Sequence, residues 1–268
     1  MKKKRLPLKR LILFVTLLLF LFIVFQFVYP NVSELREKNP GKTSFMTYRE
    51  KEWEREGKKY RINQKWVPLR AISPYLVKAV LIGEDDKFWS HEGFDYEAMQ
   101  KAIEKDIKAK KFKLGGSTIS QQLSKNLYLS PSKNPLRKIR EAIITWRMEK
   151  ALSKKRILEL YLNVAEWGDR GIFGIEAASR AYYGKQASAL GPEEASRLAA
   201  VLPNPRKFSP LGNSRYVVHR SNLIYNIMVR RGIVVPEFEE VSEENGATLD
   251  DVVPPPVSPP IEHLKPSE

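Results

Sequence analysis

Residues 74–95 read PYLVKAVLIGEDDKFWSHEGFD, and this stretch sets the fold class. Ser73 ahead of Pro74 is an N-cap followed by proline at the first helical position, so a helix opens here and runs to the acids. The same punctuation recurs outward along the chain. Asp95 precedes a helical segment over 96–110, and Ser117 is the expected cap of a short helix reaching about Leu127. Asn134-Pro135 opens a long helix to about Leu152, and Ser153 caps KKRILELYLNVA. Gly184, the PNP of 203–205 and Gly232 stop helices over 174–183, 192–202 and 213–231. Alternating strand patterns are short and few, as around Tyr60–Val67. The economical division is one mainly α domain over 46–235.

Charge divides the 268 residues into unlike parts. The formal charge is +15, yet residues 1–10 alone hold six cations and residues 236–268 hold nine acids against Lys265. The folded middle, 11–235, therefore carries +17. Residues 11–28 are almost wholly apolar, long enough at about 1.5 Å per residue to span a roughly 30 Å hydrocarbon core. A basic start before such a run stays cytoplasmic, so 1–10 is expected inside, 11–29 as an uncleaved transmembrane anchor, and everything later on the extracytoplasmic side. Residues 30–45, rich in Asn, Pro, Gly and Ser, read as a juxtamembrane linker. Residues 236–268 read as an acidic Pro-rich tail without enough apolar surface to fold. The absence of cysteine excludes disulfides, thiolate metal sites and Cys nucleophiles. His91, His219 and His263 are too scattered to suggest a zinc site.

Glu84, Asp85 and Asp86 stand at the C-terminal, negative end of a helix, where lysines are favoured. Like charges and the neighbouring Phe88 and Trp89 would raise a carboxylate's pKa toward that of a useful general base. A solvated acidic turn paired by lysines fits the same residues, and pattern leaves both open. Glu141, with Arg137 one turn earlier and Met148 and Leu152 on its face, reads first as a buried structural ion pair. Between the carboxylates lies LGGSTISQQLSKN, residues 114–126. Its Gly-Gly pair and the hydroxyls and free amides of Ser117 and Thr118 form an expected anion or sugar site at a helix start. Gln121, Gln122, Lys125 and Asn126 add donors at helical spacing. Lys125, Lys133 and Arg137 make a basic cluster suited to a diphosphate, or a solvated basic face.

Taken together, EDDKFWSHEG, GGSTISQQLSKN, RKIREA, KKRILELYLN and EWGDRGIFGIEAASRAYYGK resemble, in order, the motifs of the family 51 glycosyltransferases, which polymerise lipid II into peptidoglycan. The resemblance covers roughly 65–210. It implies a lysozyme-like head with a smaller, membrane-facing jaw. It makes Glu84 the general base toward the acceptor's 4-hydroxyl and puts Glu141 at the donor, beside the leaving diphosphate or its metal. It makes Asp85, Phe88, His91, Ser117, Thr118, Gln121, Gln122, Lys125, Asn126, Lys133 and Arg137 substrate-binding residues, although by pattern Phe88 and His91 read first as packing and turn-organising. Ser120 stands where relatives carry Thr, and Lys133 where they carry Arg. No organic cofactor is implied. A divalent cation, Mg²⁺ or Mn²⁺, remains open, with Glu141 its candidate ligand. The expected partners are lipid II, the lipid-linked glycan chain and membrane phospholipid, not nucleic acid. Association with other cell-wall synthesis or division proteins is left open. LAAVLPNPRKFSP matches the family's monofunctional members, so no transpeptidase domain is expected. Ser130-Pro131-Ser132-Lys133 matches S-x-x-K by chance, since S-x-N and K-T-G do not follow. Two rival classes remain. A muramidase would also use paired carboxylates but has no need of the basic cluster. A basic binding protein would lack aromatic–basic interleaving of an RNA-binding kind.

Overall fold

A computed structural model describes residues 8–109, 116–132 and 134–234. Helix α1 is Leu8–Val28, and a 3-10 turn at Val32–Arg36 follows it. Then come α2 (Ser44–Arg55), β1 (Asn63–Gln64), α3 (Pro74–Glu84) and α4 (Tyr96–Ala109). The order continues with α5 (Ile119–Tyr128), α6 (Pro135–Ala151), α7 (Lys154–Val164), β2 (Ile172–Phe173), α8 (Ile175–Tyr183), α9 (Pro192–Val201) and α10 (Arg215–Arg230). The described residues are thus mainly helical, with β1 and β2 forming one short parallel pair.

Helix α7 is the axis of the core. Seven of its residues are buried, Ile157, Leu158 and Leu160 through Val164. It meets α5 and α6, while α3, α9 and α10 pack against one another. One apolar cluster joins them, including Leu76 and Val80 of α3, Leu123 of α5, Met148 of α6, Leu198 of α9 and Ile224 of α10. The polar residues of α7 are matched to nearby backbone. Asn163 accepts from Val67 N and donates to Val67 O, both at 2.9 Å, and Glu159 accepts from Leu69 N at 2.8 Å. Both therefore hold the 67–69 segment against the axis.

Three local expectations change. Ser73 occupies the N-cap position of α3, but its hydroxyl donates to Leu190 O at 2.7 Å instead of capping. The cap of α5 is Thr118, not Ser117, because Thr118 and Gln121 form a reciprocal capping box. Residues 30–45 are not a free linker. Val32 and Leu35 are buried in the main core, and Arg156 donates to Leu35 O at 2.7 Å. The apolar pair three residues apart was hidden by the surrounding loop composition. Helix α2 had no counterpart in the sequence reading; it is capped by Thr43 and buries Met46 and Trp53 against Phe173.

Among residues whose side chains are described, no helix carries an apolar run long enough to cross a membrane. Side chains at 8, 11, 19, 22–24, 26 and 27 of α1 lie outside that description, as do residues 1–7 and the tail from 235. The base of α1 is fastened to α6, where Arg147 donates to Val28 O and Pro30 O at 2.7 and 2.8 Å.

Gly171 seats β2 beside β1. Its φ is +88°, and a Cβ there would lie 2.2 Å from Arg61 O. Gly171→Ala is therefore expected to cost about 2–4 kcal/mol, from left-handed strain plus backbone displacement, read as a lowered Tm in thermal unfolding.

Candidate active site

The site is built on the turn that ends α3. Asp85 is the C-cap, and its buried carboxylate faces two ways. One oxygen lies 2.9 Å from His91 Nε2, and the other accepts from Ile119 N at 2.9 Å at the first residue of α5. A carboxylate at a helix N-terminus is favoured by the dipole as well as by the hydrogen bond. His91 Nδ1 accepts from Gly93 N at 3.1 Å, which makes Nε2–H the donor to Asp85. Thr118 closes the circuit by donating to Gly93 O at 2.7 Å. Beneath the turn Phe88 is fully buried, with the Lys154 ammonium 4.5 Å from its ring centroid.

These bonds correct the expectation of free amides at the start of α5. The amides of Thr118, Ile119 and Gln121 are taken by Gln121, Asp85 and Thr118 respectively. The helix start is filled by the protein's own carboxylate. Phe88 packs beneath the turn, and His91, Thr118 and Gln121 hydrogen-bond within it. Gly115 lies outside the described residues.

Glu84, the last residue of α3, points into a separate environment. Its side chain is 9% exposed, and it lines a cleft of about 250 Å³ together with Ile82, Asp86, Gly116, Ser117 and Thr118. Gln122 Nε2 donates to one carboxylate oxygen at 2.9 Å, and Arg220 Nη2 lies 3.2 Å from the other. Burial pushes the Glu84 carboxyl above its ordinary range, against the opposing pull of Gln122 and Arg220. Gln122 is itself fixed, since Tyr161 OH donates to its Oε1 at 3.1 Å. Gln122 also lines a second cleft, of about 190 Å³, with Lys125, Asn126, Tyr161 and Asn204.

Glu141 is a further buried carboxylate of the region, 2% exposed. Arg137 Nη1 donates to one oxygen at 2.5 Å, and Lys138 Nζ contacts the other. Lys138 also reaches Ser117 Oγ at 3.3 Å, tying α6 to the first cleft. Lys125 is lowered by burial, with Glu141 and more weakly Glu84 acting to keep it charged and Arg137 and Lys138 acting against them. Lys125 is thus the electrostatic link between the two carboxylates. Lys133 lies outside the described residues.

Two residues of the site, Arg49 and Arg220, carry no local signal in sequence. Arg49 of α2 grips Glu166 bidentately, at 2.8 and 2.7 Å, and both line the second cleft. Burial raises the Glu166 carboxyl, and Arg49 offsets only part of that. Partners 117 residues apart, or 136 in the case of Arg220 and Glu84, have no spacing to reveal them. Lys138 lies three residues before Glu141 on one helix, a spacing that pairs them as Arg137 is paired.

The transglycosylase family model matches residues 50–229. A biosynthetic peptidoglycan transglycosylase of Dechloromonas aromatica (strain RCB) is 54% identical over 170 residues, which are 63% of this chain and 73% of that relative. Relatives of the same name from Aromatoleum aromaticum and Nitrosospira multiformis are 48% and 44% identical, over 76% and 84% of this chain and 91% and 96% of their own lengths. The matched span runs from within α2 to the end of α10 and encloses both carboxylates with the turn between them. The chain belongs to the transglycosylase family, and its chemistry is that of a glycosyltransferase.

Proposed function

We propose that this chain is a membrane-anchored peptidoglycan glycosyltransferase that polymerises lipid II into β-1,4-linked strands and releases undecaprenyl diphosphate. The observation that carries the reading is Glu84, a buried carboxylate with a raised pKa on the wall of a cleft, hydrogen-bonded to Gln122, which lines a second cleft together with Lys125. The name that these relatives share supplies the substrate class.

In this reading the acceptor's 4-hydroxyl loses its proton to Glu84 and its oxygen attacks the anomeric carbon of the donor. The bond from that carbon to the diphosphate breaks, and the electron pair leaves on the diphosphate oxygen. The leaving group needs no proton, because fixed cations stabilise its charge. Lys125, Arg137 and Lys138 supply them, with Glu141 fixing the latter two. Asp85 and His91 act one step back, by keeping the α3–α5 turn in place.

A divalent cation held by the protein does not fit the described residues. They contain no cluster of three metal-ligating side chains, and both oxygens of Glu141 are taken by cations. No step is derived through such an ion; one bound to the substrate's own diphosphate is a matter for the assay below.

Membrane attachment rests on residues 11–28 as sequence and on two features beside them. Ile12, Leu13, Phe14, Val15, Leu17 and Leu18 are exposed along α1. On α6, whose C-terminal half meets the base of α1, Leu136, Ile139 and Trp146 are also exposed, and their spacing puts them on one face. An apolar face continuing from a helix of that kind suits an interfacial position. The N-terminus then lies in the cytoplasm and the domain outside the cytoplasmic membrane.

The test is incubation with purified lipid II and, separately, with finished glycan, each with and without Mg²⁺. Polymer from lipid II is expected, with no solubilisation of finished strands. Solubilisation without polymer would overturn the proposal in favour of a hydrolase.

A further inference from the structure

Arg220, on α10, lies outside every motif singled out in the sequence. Its Nη2 donates to Gly83 O at 2.7 Å and lies 3.2 Å from Glu84 Oε1. Both acceptors sit at the C-terminal end of α3, where the unpaired carbonyls and the helix dipole are negative. One guanidinium nitrogen therefore caps the helix and clamps the carboxylate together. The remaining oxygen of Glu84 is held by Gln122, and Gln122 by Tyr161.

The close approach of α10 is built in. A Cβ at Gly83 would come within 3.2 Å of Ile224 Cδ1 and 3.8 Å of Arg220 Nη2, so α10 lies directly against the end of α3 here. Arg220 Nε is buried without an acceptor among the described residues. The guanidinium leaves that group unsatisfied while its Nη2 stays on α3, an arrangement that calls for a reason.

We propose that Arg220 is the positioning residue of the Glu84 base, fixing the rotamer of the carboxylate and favouring its ionised form. This rests on Glu84 being the base. The groups facing Glu84 are Arg220 from α10, Gln122 and Lys125 from α5, Tyr161 from α7, and Asp85 beside it in the chain. Of these, Arg220 is the charged group with a direct hydrogen bond to the carboxylate. Removing it raises the pH at which Glu84 ionises. A base works only when ionised, so the acidic limb of the rate profile must then move upward.

The experiment measures kcat and KM for lipid II across pH, using the full chain in detergent, for wild type, Arg220→Gln, Arg220→Lys and Glu84→Gln. Arg220→Gln is expected to lose about 10- to 100-fold in kcat at neutral pH with little change in KM, and to show the acidic limb at higher pH. Arg220→Lys restores the position of the limb and part of kcat. A rise in KM with kcat intact would make Arg220 a substrate contact. A loss of kcat with an unmoved limb in both variants would make it merely structural. Either result overturns the positioning role. Should Arg220→Gln fold poorly, Arg220→Lys decides, since it keeps the charge: an acidic limb displaced upward despite that charge counts against the proposal. Full activity in Glu84→Gln would instead remove the base assignment itself, which is a distinguishable outcome.

Discussion

Glu84→Gln lowers lipid II polymerisation by about 10²–10⁴-fold, the range ascribed to a general base, while the protein stays folded. The amide keeps the volume of the side chain and one acceptor oxygen, so the cleft keeps its shape, while proton acceptance and one of the two accepted hydrogen bonds are lost. The wild-type rate should rise with pH through an acidic limb lying above the ordinary carboxylate range, because burial is the largest influence on this group. Stability moves in the opposite sense from activity. A carboxyl whose folded-state pKa exceeds its unfolded value is favourable while protonated, and that contribution is lost as pH rises through the folded pKa. At pH 7.5 the variant is therefore expected to melt at a higher temperature than wild type, and the gain should disappear below the unfolded carboxylate pKa. Thermal unfolding at both pH values, beside the polymerisation assay, checks the pair of effects. A site kept for chemistry at the expense of stability predicts both together. A Tm difference between variant and wild type that is the same at the two pH values would mean that burial does not burden Glu84.

The helices were legible because their ends are written locally. Proline after a cap residue, a serine or asparagine ahead of an apolar repeat, and a glycine after it are short-range signals. They mark α3, α6, α7 and α8 to within a residue or so. The error at Ser117 is of the same local kind. Ser117 and Thr118 both suit a cap, and the choice falls to the residue whose partner three positions on is Gln121. What could not be read is whatever depends on elements meeting in space. The filled start of α5 depends on Asp85 arriving from 34 residues away. The Arg49–Glu166 clasp and the Arg220 clamp require α2 and α10 to be already packed. Glu84 itself stood out because three acids at the wrong end of a helix violate a local rule, and such violations concentrate where chemistry is done.

Glu141 offers the complementary experiment, because there the pattern's first reading and the family role describe the same group. Glu141→Ala removes a carboxylate that is 2% exposed and engaged by Arg137 and Lys138. Breaking a buried pair from one side costs about 3–5 kcal/mol, and the partial exposure of Lys138 puts this case near the lower end. A Tm decrease of roughly 6–12 °C follows for a domain of this size. Glu141→Gln keeps the volume and one acceptor and should lose less. The two variants should nevertheless share a kinetic change. Burial already lowers Lys125, and Glu141 is the largest influence keeping it charged. Without that carboxylate, Arg137 and Lys138 repel Lys125 against only the weaker pull of Glu84, and it gives up its proton at lower pH. If Lys125 must be protonated to receive the departing diphosphate, the alkaline limb of the polymerisation profile shifts to lower pH in both variants. An ion pair serving stability alone would lower Tm and leave that limb where it is.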